Sequence, residues 1–207
     1  AYNDEIAAPT IIKNLANNFS SAQAIATPVE ATFNSDGYFE LNNTDSVINL
    51  GLAQDCSGPN VTFEMWFYPK TTAQSDSKSI ILSANYEGAA WQDGTVLLRY
   101  DQEPFGTARM FIAQLTTGST NEFWQHSTQY PRDNWYHVVW TWNNGTMKLY
   151  VNGSEKTLDN NTGGPASGTI LDNVGEIYIG ENDTFGSTVI GNYAQVRIYT
   201  KTLSATE

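Results

Sequence analysis

An all-β fold, built as an antiparallel β-sandwich, is predicted by three features of this 207-residue sequence. A strong hairpin signal lies between two alternating runs, further short runs recur at the spacing of sandwich strands, and no amphipathic helix of convincing length is present. A single all-β domain commonly reaches this length, and a core of that size folds without disulfides. The one cysteine, Cys56, excludes an intrachain disulfide.

The clearest element is the stretch 135–153, in which the dipeptide Asn144-Gly145 separates two alternating runs. Asn-Gly is typical of a type I′ turn, because both central residues of that turn need a positive φ. A second signal, Asn152-Gly153, extends the hairpin toward a third strand. The first turn predicts three apolar pairs across the ladder: Trp142 with Met147, Trp140 with Leu149, and Val138 with Val151.

Other strands are predicted by the same alternation. Residues 61–68 have one wholly apolar face and end at Pro69, which cannot continue a ladder. Upstream, the turn-forming residues 34–37 separate two short strands. That pair is residues 32–33 and 38–41. The remaining predicted strands are residues 79–84, 96–100, 109–115, 122–129, 175–180 and 193–200.

The domain organisation follows from the same pass along the chain. Residues 1–30 show no sustained period and are predicted to be a leading segment of the same domain, as an edge strand, a helical turn or irregular structure. Residues 31–207 are predicted to form the sandwich. No internal repeat or linker is visible, so one domain is the simplest interpretation.

The charge balance limits the partners of the protein. The net charge is −12, from 22 acidic and 10 basic residues, which disfavours nucleic acid because phosphate contacts need clustered Lys and Arg. Anionic polymers and membrane surfaces are also disfavoured, unless a divalent cation screens the acidic side chains. No apolar run approaches the roughly 20 residues of a membrane helix, so we expect no membrane insertion.

Five motifs occur along the chain in a recognisable order. They are FNSDGYF at 33–39, VTFEMWFYP at 61–69, WYHVV at 135–139 with LYVNG at 149–153, IYIG at 177–180, and VRIYTKTLS at 196–204. The series resembles laminin G-like, concanavalin A-like jelly-roll domains over about residues 31–205. No motif is specific by itself, but their order is.

This resemblance implies a jelly roll of two curved antiparallel sheets, in agreement with the alternation. Because the final motif runs almost to Glu207, we expect the chain to come from a longer protein cut at a domain boundary. Similar domains are attached to polysaccharide-degrading enzymes, adhesins and viral surface proteins. The resemblance therefore implies a recognition module of an extracellular, cell-surface or virion-surface protein.

Catalysis is not supported by the sequence. Retaining β-glucanases of the same fold need two carboxylates about 5 Å apart, supplied by a Glu-x-Asp-x-x-Glu type strand. The one Glu-x-Asp, at residues 181–183, is followed by no second glutamate. Glu64 has no carboxylate neighbour on its strand face, and we interpret it as half-exposed or bonded to a neighbouring strand. His126 and His137 lie in no nucleophile motif, so we expect no enzyme.

Calcium is the candidate cofactor, because oxygen-rich loops supply its ligands. The candidate ligands are Asn34, Asp36, Asn182 and Asp183, although Asn and Asp also stabilise turns without an ion. The resemblance implies a calcium between an early loop and the last strand, where relatives carry an acidic residue. Residues 194–195 are Ala-Gln here, which weakens that inference. Zinc has no support from one cysteine and two histidines.

A glycan site needs exposed aromatic rings beside polar groups, because sugars present apolar C–H faces and polar rims. The candidate ligand-binding residues are Asn85, Tyr86, Trp91 and Asp93 in the loop 84–94, and Trp124 and His126, which form a weaker cluster with Tyr130. Trp91 is either a binding platform or a plug over the sheet. The tryptophans at strand positions are predicted to belong to the core: Trp66, Trp135, Trp140 and Trp142.

The sequence therefore predicts a non-catalytic, lectin-like carbohydrate-binding module of a larger surface or secreted protein. Its expected partners are a glycan or polysaccharide and other domains of the parent protein. The alternative is a structural, assembly or attachment domain that binds no small ligand. Solvent-facing positions of Tyr86 and Trp91 beside a polar groove would favour the first interpretation, and burial or a flat patch the second.

Overall fold

The computed structural model describes the backbone of much of the chain. The described residues are 12–13, 25–29, 31–43, 46–52, 58–70, 80–84, 94–101, 110–117, 120–125, 128–162, 168–170, 176–180 and 189–207. They contain strands and turns but no helix. Consequently, none of the described segments could cross a membrane as a long apolar helix.

Sixteen strands are present in the described part of the chain. The first eight are β1 (Ile12–Lys13), β2 (Ile25–Val29), β3 (Ala31–Asn34), β4 (Tyr38–Leu41), β5 (Val47–Leu52), β6 (Asn60–Pro69), β7 (Ile80–Ala84) and β8 (Val96–Asp101). The second eight are β9 (Met110–Thr117), β10 (Thr120–Gln125), β11 (Tyr136–Asn143), β12 (Thr146–Val151), β13 (Ser154–Lys156), β14 (Asp159–Thr162), β15 (Glu176–Ile179) and β16 (Gly191–Tyr199).

The strands form two sheets in which neighbouring strands are antiparallel. The nine-stranded sheet has the order β1-β2-β5-β15-β7-β8-β9-β10-β14. The seven-stranded sheet has the order β13-β12-β11-β6-β16-β4-β3. Strands that are distant in sequence are neighbours in both sheets, as expected of a jelly roll. The predicted all-β sandwich is therefore confirmed.

The predicted hairpin forms with the predicted register. Strand β11 pairs with β12 so that Trp140 faces Leu149 and Trp142 faces Met147. Asn144 and Gly145 have φ values of 40° and 107°, the positive angles that a type I′ turn requires. The second turn also forms, and it leads into β13. The Asn-Gly dipeptides thus identify both connections of the meander correctly.

Most of the other predicted strands are confirmed within one to four residues at their ends. Strands β5 and β14 were not predicted, and the leading segment contributes β1 and β2. Strand β2 pairs with β5, and β1 pairs with β2 at the edge of the nine-stranded sheet. That residues 1–30 belong to the same domain as residues 31–207 stays a prediction.

Aromatic side chains join the two sheets in the core. Phe67 of the seven-stranded sheet lies with its ring centroid 5.6 Å from that of Tyr100 and 6.4 Å from that of Phe111, both on the nine-stranded sheet. Phe111 also contacts Trp140, with the centroids 5.9 Å apart. Such edge-on contacts add stability beyond the burial of apolar area. The sheets therefore pack face to face through rings contributed by both layers.

The outer face of the nine-stranded sheet is also buried along the described parts of β7, β8 and β9. Ile80, Leu97 and Ile112 point away from the main core, yet almost no surface of these side chains is accessible. Arg99 and Gln114 lie on the same face, are buried, and are joined by a hydrogen bond of 3.4 Å between Nη1 and Oε1. The outer face of the seven-stranded sheet differs, because it carries exposed tryptophans.

Candidate functional site

Two tryptophans lie on the open face of the seven-stranded sheet. Trp66 on β6 and Trp135, just before β11, are each 38% exposed, the large apolar residues with most exposure among those described. The prediction that both belong to the core is wrong. The prediction for Trp140 and Trp142 is confirmed, since neither has accessible surface.

The reason for the difference is the alternation of the strands. Residues 61, 63, 65 and 67 of β6 point into the core, so Trp66 points outward. Tyr136 is buried at the start of β11, which places Trp135 on the outer side. Apolar character suggested burial, but the position along each strand decides the face.

Aromatic rings from three elements surround these tryptophans. Trp135 contacts Tyr38 of β4 and Tyr68 of β6, with centroid distances of 5.8 Å and 5.5 Å. Trp66 lies against the ring of His137 on β11, with a centroid distance of 5.1 Å and an angle of 31° between the rings. We call these five residues the aromatic platform. All five rings lie on the outer side of the sheet, and the two tryptophans are the most exposed large apolar side chains among the described residues.

A polar cluster lies beside the platform on the same face. Its centre is Glu64, which is two residues from Trp66 on β6. Glu64 Oε1 accepts a hydrogen bond from Arg197 Nη1 at 3.1 Å and lies 3.0 Å from His137 Nε2. Glu64 Oε2 accepts from the hydroxyl of Tyr199 at 2.6 Å. The interpretation of Glu64 as bonded to neighbouring strands is confirmed.

The partners of Glu64 keep its carboxylate ionised. Burial alone would raise the pKa of Glu64, but the Tyr199 hydroxyl, the His137 ring and the Arg197 guanidinium lower it below its usual value. Burial and the adjacent carboxylate both raise the pKa of Tyr199. The cluster is therefore an ionised acid held by three donors, and it presents fixed polar groups at the margin of the platform.

A bulge in β16 places one more polar side chain in the cluster. Between Ala194, opposite Trp66, and Arg197, opposite Glu64, β16 has one residue more than β6. Gln195 in this bulge has a φ of 50°, which is uncommon for a non-glycine residue. Its Oε1 accepts a hydrogen bond from Arg197 Nη2 at 3.1 Å. Both terminal nitrogens of the Arg197 guanidinium are thus hydrogen-bonded, one to Glu64 and the other to Gln195.

Most of the predicted ligand-binding residues lie outside the described part of the chain. These are Asn85, Tyr86, Trp91, Asp93 and His126, and only the backbone of Trp124, in β10, is described. A binding site at the loop 84–94 therefore stays a prediction. Tyr130 was assigned to the second exposed cluster, and that assignment is wrong. Its ring is buried against Phe111 and Tyr136.

The predicted calcium ligands are described only in part. Asn34 and Asp36 lie at the β3–β4 turn, where Asn34 Oδ1 accepts a hydrogen bond from the Asp36 backbone N–H at 2.9 Å. Asn182 and Asp183 lie outside the described residues. In the described regions, no three His, Cys, Asp or Glu side chains come together in a way that could hold an ion. Calcium at these four residues stays a prediction.

The chemical capacity of the site follows from the register around Glu64. Its neighbours on the same face are Val139 and Arg197 across the strands, and Thr62 and Trp66 along β6. None of these neighbours carries a carboxylate. Hydrolysis of a glycosidic bond uses two carboxylates, and these neighbours provide no second carboxylate beside Glu64. The arrangement offers contacts to ring faces and hydrogen bonds, which are the elements of binding.

The fold and this site together define a class of protein, the jelly-roll β-sandwich domain with an aromatic and polar surface on one sheet. Residues 33–207 match the laminin G family model described as the concanavalin A-like lectin/glucanases superfamily. Because that match covers most of the chain, the protein belongs to this family. A search of curated protein sequences finds no significant match.

Similar solved structures share the fold at low sequence identity. Domain 4 of AbnA, a GH43 extracellular arabinanase from Geobacillus stearothermophilus solved with arabinotriose, is 17% identical, with a TM-score of 0.59 over 95% of this chain and 84% of that domain. A Trypanosoma rangeli sialidase has 17% identity and a TM-score of 0.62 over 95% of this chain. The binding domain of botulinum neurotoxin serotype G has 18% identity and a TM-score of 0.60 over 90% of this chain.

The share of the relatives that is matched differs widely. This chain spans most of the arabinanase domain but only 31% of the sialidase chain and 46% of the neurotoxin binding domain. The fold thus occurs as one part of larger proteins. At this level of identity, these likenesses establish the fold alone.

Proposed function

We propose that the protein is a non-catalytic carbohydrate-binding module, and that its binding surface is the outer face of the seven-stranded sheet. The observation that carries this proposal is the exposure of Trp66 and Trp135 beside the ionised polar cluster centred on Glu64. Large exposed rings grouped on one face are typical of recognition sites.

Sugars are the ligands that fit this combination best. The apolar C–H face of a sugar ring packs on an indole, while its hydroxyl groups need donors and acceptors at the margin. Trp66 provides the ring. Glu64, two residues from Trp66 on β6, and Gln195 and Arg197 on the neighbouring strand β16 provide hydrogen-bond donors and acceptors. The polar groups are already held in place by one another, which reduces the entropy lost on binding.

Binding without catalysis is favoured by the chemistry around Glu64. A general acid needs a raised pKa, whereas the pKa of Glu64 is lowered by its partners. A nucleophilic carboxylate would need a second carboxyl group nearby, and the same-face neighbours on β6, β11 and β16 provide none. Glu64 is therefore proposed to orient its neighbours and accept hydrogen bonds from sugar hydroxyls.

The names of two similar solved structures support the proposal. The similar arabinanase domain was solved in complex with arabinotriose, and the neurotoxin neighbour is called a binding domain. By the same reasoning we propose that this chain is a module of a longer extracellular, cell-surface or virion-surface protein. Its glycan would then bring the parent protein to a surface or a polymer.

The experiment is a glycan-array screen of the intact chain, with and without calcium, followed by titration calorimetry of the strongest ligands. Trp66→Ala and Trp135→Ala are expected to weaken binding by about tenfold or more each, since each removes a stacking surface worth at least about 1.4 kcal/mol. The matched control is Tyr150→Ala, which removes an aromatic ring from the same face on β12, where it bonds to Glu155 at the sheet margin.

A further variant, Trp91→Ala, tests the loop site predicted from the sequence. Loss of binding in Trp91→Ala alone, with Trp66→Ala unaffected, would move the site to the loop and leave the function standing. If no glycan binds and Trp66→Ala instead changes the oligomeric state by light scattering, the assembly domain is the correct interpretation. Unchanged melting temperatures are required for each variant, because unfolding would also abolish binding.

A further inference from the structure

We propose that the ligand is an uncharged glycan chain of several sugar units that lies across the strands of the seven-stranded sheet. This inference rests on the proposed function and specifies its ligand. The observations that carry it are the pairing of four basic side chains on this face and its margins with acids, the breadth of the aromatic platform, and a small residue at its centre.

The charges of this face are already neutralised by one another. Four basic side chains on the described part of this face and its margins each lie within a short distance of an acid: Lys70 with Glu40 at 3.2 Å, Lys148 with Glu155 at 3.1 Å, Arg197 with Glu64 at 3.1 Å, and Lys201 with Glu207 at 2.5 Å. A carboxylate or sulfate on a ligand would have to compete with the acid that each of these basic groups already contacts. The net charge of −12 would repel a polyanion as well.

The breadth of the platform exceeds one sugar ring. Tyr38 is on β4 and His137 is on β11, and β16 and β6 lie between these two strands. Three strand spacings of about 4.8 Å separate the backbones of these two strands by roughly 14 Å. A single pyranose covers only one of these rings. Filling the platform therefore requires several linked units, which cross the strands from Tyr38 toward His137.

Ala194 makes a notch in the middle of this path. It lies opposite Trp66 on β16, and the preceding residue, Tyr193, pairs with Phe39 next to Tyr38. The one small side chain of this row thus stands between the rings of Tyr38 and Trp66. A sugar unit can settle over the methyl group with an aromatic ring on either side. Ala194 is half-buried on the solvent side of the strand, so its methyl group keeps some accessible surface.

The test compares ladders of neutral and acidic oligosaccharides by titration calorimetry. Arabino-, xylo- and gluco-oligosaccharides of one, three and six units are compared with oligogalacturonates of the same lengths. Affinity for one neutral series is expected to rise by about tenfold or more from one unit to six, with no measurable binding of the oligogalacturonates. Tyr38→Ala should remove most of the gain from length while leaving the weak binding of short ligands unchanged.

Ala194→Leu is the second variant, since it fills the notch from the solvent side without disturbing the core. It is expected to weaken binding of the longest neutral ligand by about tenfold or more, with an unchanged melting temperature. Binding of a single sugar with no gain from length, or preference for oligogalacturonates, would overturn this inference and leave the proposed function intact. Absence of binding to any glycan in the panel and on the array would overturn both.

Discussion

The outer faces of the two sheets follow opposite rules. On the nine-stranded sheet, the outward residues Leu97, Arg99 and Ile112 are buried almost completely. On the seven-stranded sheet, the outward residues Trp66 and Trp135 remain exposed beside paired charges. Strands β7, β8 and β9 of the first sheet are therefore covered on both faces, whereas the second sheet has one buried face and one face with exposed side chains. Apolar residues stabilise the first surface, and on the second they are available to a ligand.

Residue type alone does not separate structural positions from candidate binding positions in this fold. A buried arginine lies on the covered face, and tryptophans lie on the open one. A sandwich with one open sheet face can display a wide, rigid surface, because the ladder hydrogen bonds fix the spacing of its side chains. Binding residues on such a surface need no loop to position them.

The largest expected effect contrasts the two faces directly. Ile112→Ala on the covered face should lower the free energy of unfolding by about 2–5 kcal/mol, since a buried cavity remains. Val139→Ala, a matched change on the open face of β11, should lower it by less than about 1 kcal/mol. Urea unfolding followed by fluorescence measures both. Equal losses would contradict the assignment of one face as covered and the other as open.

The next effect tests the inner side of the seven-stranded sheet. A Cβ atom at Gly191 would lie 2.6 Å from the carbonyl oxygen of Tyr68 and 3.1 Å from Cε2 of Phe67. Gly191→Ala should therefore lower the free energy of unfolding by about 1–3 kcal/mol, because strands β16 and β6 must separate. Thermal unfolding measures this loss. A neutral result would show that the two strands tolerate a wider spacing at this end.

The smallest effect concerns the ionisation of Glu64. Because its pKa is lower in the folded protein, Glu64 stabilises the fold above its unfolded pKa of about 4.3, and this contribution is lost as the pH falls through the folded value. The stability of the native protein should therefore fall more steeply than that of Glu64→Gln as the pH drops below about 4.3. Urea unfolding at a series of pH values provides the measurement.

A second variant is the control for this pH dependence. Lys148→Gln removes an exposed charge from the same face but leaves the partners of Glu64 in place. It should retain the steep acid dependence of the native protein. Parallel pH curves for the native protein and Glu64→Gln would mean that the polar cluster does not hold the carboxylate.

The sequence was sufficient to predict the fold class and the register of the hairpin. Asn144-Gly145 dictates the turn, and the alternation on either side permits only one pairing of the faces, as β11 and β12 demonstrate. These features are local, so they can be recognised in a single sequence. Strand β5 was missed because its residues, VINLGL, contain a glycine and a polar residue that interrupt the alternation.

The polar cluster could not be predicted, because its members come together only through the strand order. Glu64, His137 and Arg197 are far apart in sequence and meet because β6 lies between β11 and β16. The position of Trp66, by contrast, was already given by the alternation of β6. Treating its large apolar ring as a core residue overrode that pattern, although the strand period was the better guide.

The bulge at Gln195 determines which residues of β16 face the core. Before it, the odd-numbered Tyr193 points inward, and after it the even-numbered Val196 and Ile198 pack against the core. The extra residue thus shifts the phase of the strand by one position. Without it, Arg197 would turn into the apolar interior and Ile198 into water. One irregular residue allows a single strand to satisfy two alternations that would otherwise exclude each other.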